Sequence, residues 1–290
     1  MLLSKKKLKK TVLKKIFAYD FYRFNPYIHY FLNLNLSYIL HLIYYQIAIF
    51  INVTQKVNKS KKINFFLKNG FYKRILKKND YYFSLFNYLD AELKKKSMIE
   101  NDNQILCHLD NYFFDNMASK SDSQSHLDDI PNKILKELDY ILRKDKYFEN
   151  IIKFYFKCNY KITNLRIWRY HENSKNNLKN EVGFHHDSFP HKTLKIMVYK
   201  GIFSKNNPCL LISDPYSKKI IHSFKGCNPI IIFDPNHLYH GANFPIKDRD
   251  TIEITVQPTI KTREPIYGGF SAGYSINPFK KNNNKKFFSF

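Results

Sequence analysis

Only four cysteines occur among the 290 residues, at positions 107, 158, 209 and 227. No two lie close enough for a C-x-x-C knuckle or redox pair, so a disulfide scaffold is disfavoured and a reducing compartment is the natural setting. Glycine is also scarce, with eight residues, and none of them builds a Gly-rich phosphate loop. Arginine supplies only seven of the 48 basic residues, at 23, 74, 143, 166, 169, 249 and 263. Readers of nucleic-acid sequence lean on Arg for bidentate base contacts. Zinc-finger and RNA-recognition signatures are missing too, so specific nucleic-acid binding is not expected. Acidic residues number 24, which leaves a net charge of +24. A field of that sign attracts phosphates, acidic lipids, nucleic acid or carboxylates without choosing among them, and its plainest reading is a solvated lysine surface. No apolar run with a small-residue cleavage site follows the basic N-terminus, which argues against a signal peptide. What the chain does have is apolar content: 44% hydrophobic and 17% aromatic, ample for a buried core.

Residues 5–17 (KKKLKKTVLKKIF) place Leu8, Val12, Leu13, Ile16 and Phe17 at helical spacing with lysine on the other face. That pattern suits a helix on an anionic membrane surface, or a mobile basic arm. Residues 36–53 (LSYILHLIYYQIAIFINV) are mostly apolar but interrupted by Ser37, His41 and Gln46. Three readings stay open for them: a packing helix, an interfacial helix or a membrane span. Residues 55–80 look like a connection with short structured pieces, and 117–129 like a polar loop. Pro131 opens a helical pattern through about residue 155, with Ile134, Leu135, Leu138, Ile141 and Leu142 on one face.

From residue 160 the texture turns to short β-rich runs between Asn, Pro, Asp and Gly: 162–170, 193–200, 209–213, 219–224, 229–233 and 251–257. Such runs suit antiparallel strands in a sandwich or barrel. The expected architecture is mainly β with added helices, a jelly-roll core preceded by a helical N-terminal half.

Three H-x-D pairs occur: His108/Asp110, His126/Asp128 and His185/Asp187. On an extended chain residues i and i+2 share a face, so such a pair can give one divalent metal two ligands. A distant His completes a two-His-one-carboxylate triad with open positions on Fe(II). Chance alone yields about 0.6 such pairs in a chain of this composition, so context must choose. Only His185/Asp187 is followed at a suitable distance by a His and then an Arg. His240 comes 53 residues after Asp187, just past the apolar run PIIIFD, and Arg249 comes nine residues later. Adjacent His186 and nearby His237 are the rivals for the two histidine positions.

The segments HHDSFPHKTLKIMVY and PIIIFDPNHLYHGANFPIKDRDTIEITVQP resemble the Fe(II)/2-oxoglutarate-dependent dioxygenases, in particular the phytanoyl-CoA dioxygenase-like branch. The resemblance covers roughly residues 160–260. It implies Fe(II) held by His185, Asp187 and His240, with 2-oxoglutarate as cosubstrate, O2 as oxidant and hydroxylation of an unactivated C–H bond as the outcome. It implies that Arg249 pairs with the far carboxylate of 2-oxoglutarate and that Tyr199 lines that pocket. Thr251 shares the strand face of Arg249 and could donate to the same carboxylate. Lys195 and Met197 share the face of Tyr199, while Arg166 or Arg169 could reach the cosubstrate or an acidic substrate. The short stretch 201–218 departs from members with a longer insertion and argues against an acyl-CoA substrate. The implied division is a basic, aromatic-rich helical segment at 1–60, a dioxygenase-like domain at 61–279 and a basic tail at 280–290. The substrate would be small or lipid-linked. The expected location is the cytoplasm, with peripheral membrane contact through residues 1–53 open. A non-catalytic cupin-like binding domain and a membrane-associated interaction protein are the alternatives.

Overall fold

A computed structural model describes residues 36–52, 59–77, 80–99, 124–126, 132–170, 184–187, 192–217, 219–242 and 248–260. The basic segment 5–17, the His108/Asp110 pair and the tail 280–290 lie outside them. The described elements in order are α1 (Leu36–Ile51), α2 (Lys61–Asn69), β1 (Phe71–Ile75), α3 (Tyr82–Ile99), β2 (Gln124–His126), α4 (Asn132–Lys144) and α5 (Lys146–Phe156). There follow β3 (Asn159–Tyr170), β4 (Leu194–Lys200), β5 (Ile202–Phe203), β6 (Leu210–Ser213), β7 (Ile220–Phe224), β8 (Gly226–Cys227), β9 (Pro229–Phe233), β10 (His240–Gly241) and β11 (Arg249–Thr259).

The strands form a six-stranded sheet in the order β1-β9-β4-β11-β3-β2, a three-stranded sheet β10-β6-β7 and a β5-β8 pair. All pairings are antiparallel. Strand β9 (PIIIF) is apolar throughout because both its faces are covered. Ile230 and Ile232 join a core with the helices, while Ile231 and Phe233 join a second core with Leu210, Ile212 and Phe224 of the smaller sheet. The two sheets thus pack face to face, as a jelly roll requires. Strand β11 divides its duties by the same alternation. Ile252, Ile254 and Val256 enter the helix-side core, and the intervening Arg249, Thr251 and Glu253 face the interior between the sheets. The residues of β11 are buried along its length.

The helices cover the other face of the large sheet. Phe148, Ile151, Ile152 and Phe156 of α5 and Leu138, Ile141 and Leu142 of α4 are buried there. The single helix expected over 131–155 is broken at Asp145. Its carboxylate caps α5 by accepting from Tyr147 N and Phe148 N, at 3.2 and 3.4 Å. The N-terminal half also departs from the helical expectation, since β1 at 71–75 forms an edge of the large sheet. The polar loop foreseen over 117–129 holds β2, so His126 lies in an edge strand paired with Trp168. Helix α1 packs Tyr44, Tyr45 and Ala48 inward. The Tyr44 hydroxyl meets Thr259 Oγ1 at 3.3 Å and accepts from Ile260 N at 3.2 Å, tying α1 to the end of β11. Among the described residues, no helix is long and apolar enough to cross a membrane.

Candidate metal centre

The chain leaves β9 at Phe233 and reaches His240 through a turn organised by Asp234. This buried carboxylate accepts from Asn236 N at 3.0 Å and His237 N at 3.2 Å, and the Tyr155 hydroxyl donates to it. Asp234 N in turn donates to the Gly70 carbonyl. Gly70 ends α2 with φ of +75°, a conformation that favours glycine, and a Cβ there would crowd the Leu238 side chain. The turn delivers His240 into β10, where it pairs with Ile212 of β6. On its other side His240 meets His185 through two backbone hydrogen bonds of 2.9 and 3.0 Å. Asp187 N donates to the Pro235 carbonyl at 3.0 Å, which fixes the second residue of the H-x-D pair against the same turn.

These backbone contacts bring His185, Asp187 and His240 together, and their ligand atoms all lie within 4.8 Å of one another. All three residues are buried. His185 Nε2 is 3.3 Å from Asp187 Oδ1, and His240 Nε2 is 4.0 Å from Asp187 Oδ2. His240 Nδ1 lies 2.9 Å from the Leu238 carbonyl oxygen. A carbonyl only accepts, so the proton sits on Nδ1 and the Nε2 lone pair is presented to the centre. Burial pushes the His240 pKa down to about 3, helped by His185 and Lys195 and opposed by Asp187. The ring is therefore neutral and could serve as a ligand. Burial works against ionisation of Asp187 as well, but the Lys195 ammonium and the hydrogen bond with His185 hold it well below the usual carboxylate range. Two imidazoles and one carboxylate suit a divalent transition metal such as Fe(II).

The two rivals are placed elsewhere. His237 is largely exposed, with Nδ1 2.8 Å from Asp234 Oδ2. His186 is buried with its ring 5.2 Å from that of Tyr239.

Arg249 and Thr251 sit at the start of β11, both buried. Tyr199 pairs with Thr251 across the β4–β11 register and its ring packs against Phe203. Burial pushes the Cys209 thiol up to about 12, with Arg249 close enough to pull the other way. The Thr251 hydroxyl is buried without a hydrogen-bond partner among the described residues. An orphaned buried donor calls for a ligand or water. Arg249, Thr251 and Tyr199 could together hold the carboxylate of 2-oxoglutarate.

Lys195 and Arg166 are placed differently from the expectation of a cosubstrate lining. Lys195 ion-pairs with Asp187 itself and lies 3.6 Å from Glu253. Arg166 lies 3.7 Å from that same Glu253 and pairs with it in register on β3. Arg169 is on the opposite face, bound to Asp250 and Asp90, so it has no part in the interior. Glu253 was not foreseen. The signal was available, because Glu253 continues the alternation of Arg249 and Thr251 onto the same face. Further along, Thr255 Oγ1 and Gln257 Nε2 are also buried and unpartnered among the described residues.

No family model matches the sequence, and no curated protein is similar to it. Among solved structures, the chain is similar to SnoN, a non-haem α-ketoglutarate-dependent epimerase from nogalamycin biosynthesis (TM-score 0.44, 11% identity, covering 68% of this chain and 81% of that one). It is also similar to HygX from Streptomyces hygroscopicus with nickel and 2-oxoglutarate bound (TM-score 0.44, 10% identity, 70% and 88% covered). A third is a prolyl hydroxylase from Trichoplax adhaerens in complex with a hypoxia-inducible-factor peptide (TM-score 0.44, 13% identity, 73% and 91% covered).

Proposed function

We propose that this chain is an Fe(II)- and 2-oxoglutarate-dependent oxygenase that hydroxylates its substrate. The observation that carries the reading is the buried convergence of His185, Asp187 and His240, with His240 held in the tautomer that leaves Nε2 free to bind. His185, Asp187 and His240 would hold the iron, which when bound supplies the activation of O2 and the oxidation of a C–H bond. Arg249 and Thr251 would orient the cosubstrate by pairing with its far carboxylate, and Tyr199 would wall that pocket. The apolar inter-sheet core of Ile231, Phe233, Leu210 and Ile212 excludes water and strengthens the charged contacts inside. Thr255 Oγ1 and Gln257 Nε2, buried without hydrogen-bond partners among the described residues, favour a small hydrogen-bonding substrate over the lipid-linked alternative. On this reading the protein works in the cytoplasm, and the apolar outer face of α1 rests against an anionic membrane.

An anaerobic titration with Fe(II) and then 2-oxoglutarate tests the reading. Chelation should produce a visible metal-to-ligand charge-transfer band at one iron per chain. Iron binding without such a band would remove the cosubstrate, and no iron binding would remove the metal centre. The ion pair of Lys195 with Asp187 favours one second reading, a cupin-like binder in which a lysine stands where a cation would. That protein would form no succinate under any substrate.

A further inference from the structure

Lys195 lies between two buried carboxylates. Its ammonium contacts Asp187 Oδ2 and is 3.6 Å from Glu253 Oε1. Both acids are almost fully buried, with side chains 2% and 7% exposed. Arg166 approaches the far oxygen of Glu253 at 3.7 Å. A divalent cation held by Asp187 would need the carboxylate that Lys195 now engages, and would place like charge beside the ammonium in a water-poor interior. Two cations cannot share that position without large repulsion. The lysine stem is flexible, and its second acceptor is already within reach across one strand pairing, so the exchange needs no movement of β4 or β11.

We propose that Lys195 and Glu253 set the metal affinity of the centre: Lys195 competes with a divalent cation for Asp187, and Glu253 takes the ammonium when that cation binds. This rests on the metal centre proposed above. Lys195 is then a competitor of the metal, and Glu253 is the residue that makes the competitor easy to displace. Arg166 and the paired strands keep Glu253 in place to receive it.

The measurement is the Kd of Mn(II), a redox-stable probe, for the full chain, read from the loss of the free-ion electron paramagnetic resonance signal. Lys195→Met should bind Mn(II) about tenfold tighter or more, and Glu253→Gln about tenfold weaker, the range in which neighbours of metal ligands act. In the double variant the Glu253→Gln loss should vanish, because its effect passes through Lys195. A wild-type protein that binds Mn(II) while Lys195→Met binds it equally or more weakly would overturn the exchange and leave the metal centre standing. Equal losses from Glu253→Gln with and without Lys195 would overturn it as well. If neither wild type nor Lys195→Met binds Mn(II), the centre itself fails and the exchange with it. Glu253→Gln keeps the test decisive if Lys195→Met proves poorly folded.

Discussion

His240 reaches the centre on a strand of only two residues, so its ring is aimed by the Leu238 carbonyl and by two backbone bonds to His185 rather than by a long ladder. On the proposed reading, losing it removes one of three protein ligands. His240→Ala should abolish stoichiometric Mn(II) or Fe(II) binding, whereas His237→Ala should leave it intact, as equilibrium dialysis would show. Arg249→Leu should separate the two ligands. Metal should still bind, while 2-oxoglutarate affinity falls by about 3 kcal/mol, roughly 100-fold, as expected for loss of one partner from a buried charge pair. His237 also has a measurable pH signature. Its hydrogen bond to Asp234 raises the imidazolium pKa above the ordinary value. A raised folded pKa means stability that is full below the unfolded value of about 6.5 and is lost as pH rises through the folded one. The gap in unfolding free energy between wild type and His237→Gln should therefore shrink from pH 5.5 towards pH 8. A gap that widens with pH would contradict the Asp234 pairing. At this scale the convergence of His185, Asp187 and His240 was legible. The H-x-D pair, the distant His and the following Arg were visible as spacings, because strand alternation converts sequence parity into a shared face. The destinations of Lys195 and Arg166 were not, because they depend on Glu253 across a strand pairing.

Between elements, one half-buried cation does more than its position in sequence suggests. Arg74 on β1 donates to Asp80 at 2.6 Å and to Asp145 at 2.5 Å, and Asp145 is the N-cap of α5. The edge strand, the entry to α3 and the start of α5 are thus joined through one guanidinium. Arg74→Met would leave two acids facing each other with Asp145 almost fully buried, and removing one partner of such a network costs about 3–5 kcal/mol. Chemical denaturation should show a loss of that order, and Asp145→Asn should recover part of it in the Arg74→Met background. A loss under about 1 kcal/mol would mean that the pairs behave as solvent-screened surface bridges. The longer strands from residue 160 on were foreseen, since runs such as β9 are apolar throughout and bounded by turn residues, whereas the two-residue strands β5, β8 and β10 were not. The break at Asp145 and strand β1 were not. The helical periodicity runs on through the α4–α5 junction, and FYKRI becomes a strand only because β9 offers a partner. Tertiary pairing of that kind leaves no local mark.

Across the whole molecule, the excess of positive charge meets an uncharged helix with two faces. Tyr44, Tyr45 and Ala48 of α1 are buried, while Ile39, Ile43, Ile47 and Phe50 form an exposed apolar stripe at helical spacing, Phe50 being 81% exposed. The helix sequence holds no charged residue. The inward face accounts for the packing reading of residues 36–53, and the length of α1 disfavours a span. The outward stripe fits an interfacial role, in which apolar side chains enter the headgroup boundary and lysines face anionic lipid. Seven lysines and no acid lie within residues 1–15, just upstream. Each lysine near an anionic surface contributes about 1 kcal/mol through a field screened within about 10 Å at 0.1 M salt. Full-length protein should therefore float with phosphatidylserine vesicles at low salt and much less at about 0.5 M, where the screening length is roughly halved. Neutral phosphatidylcholine vesicles should bind little at either. Phe50→Ser combined with Ile43→Ser should weaken flotation at low salt without changing the melting temperature, because neither side chain belongs to the core. Flotation that ignores salt would place the weight on the apolar stripe alone. Flotation that survives the double substitution would place it on the lysines alone. Absence of binding under both conditions would show that the outer face of α1 meets something other than lipid.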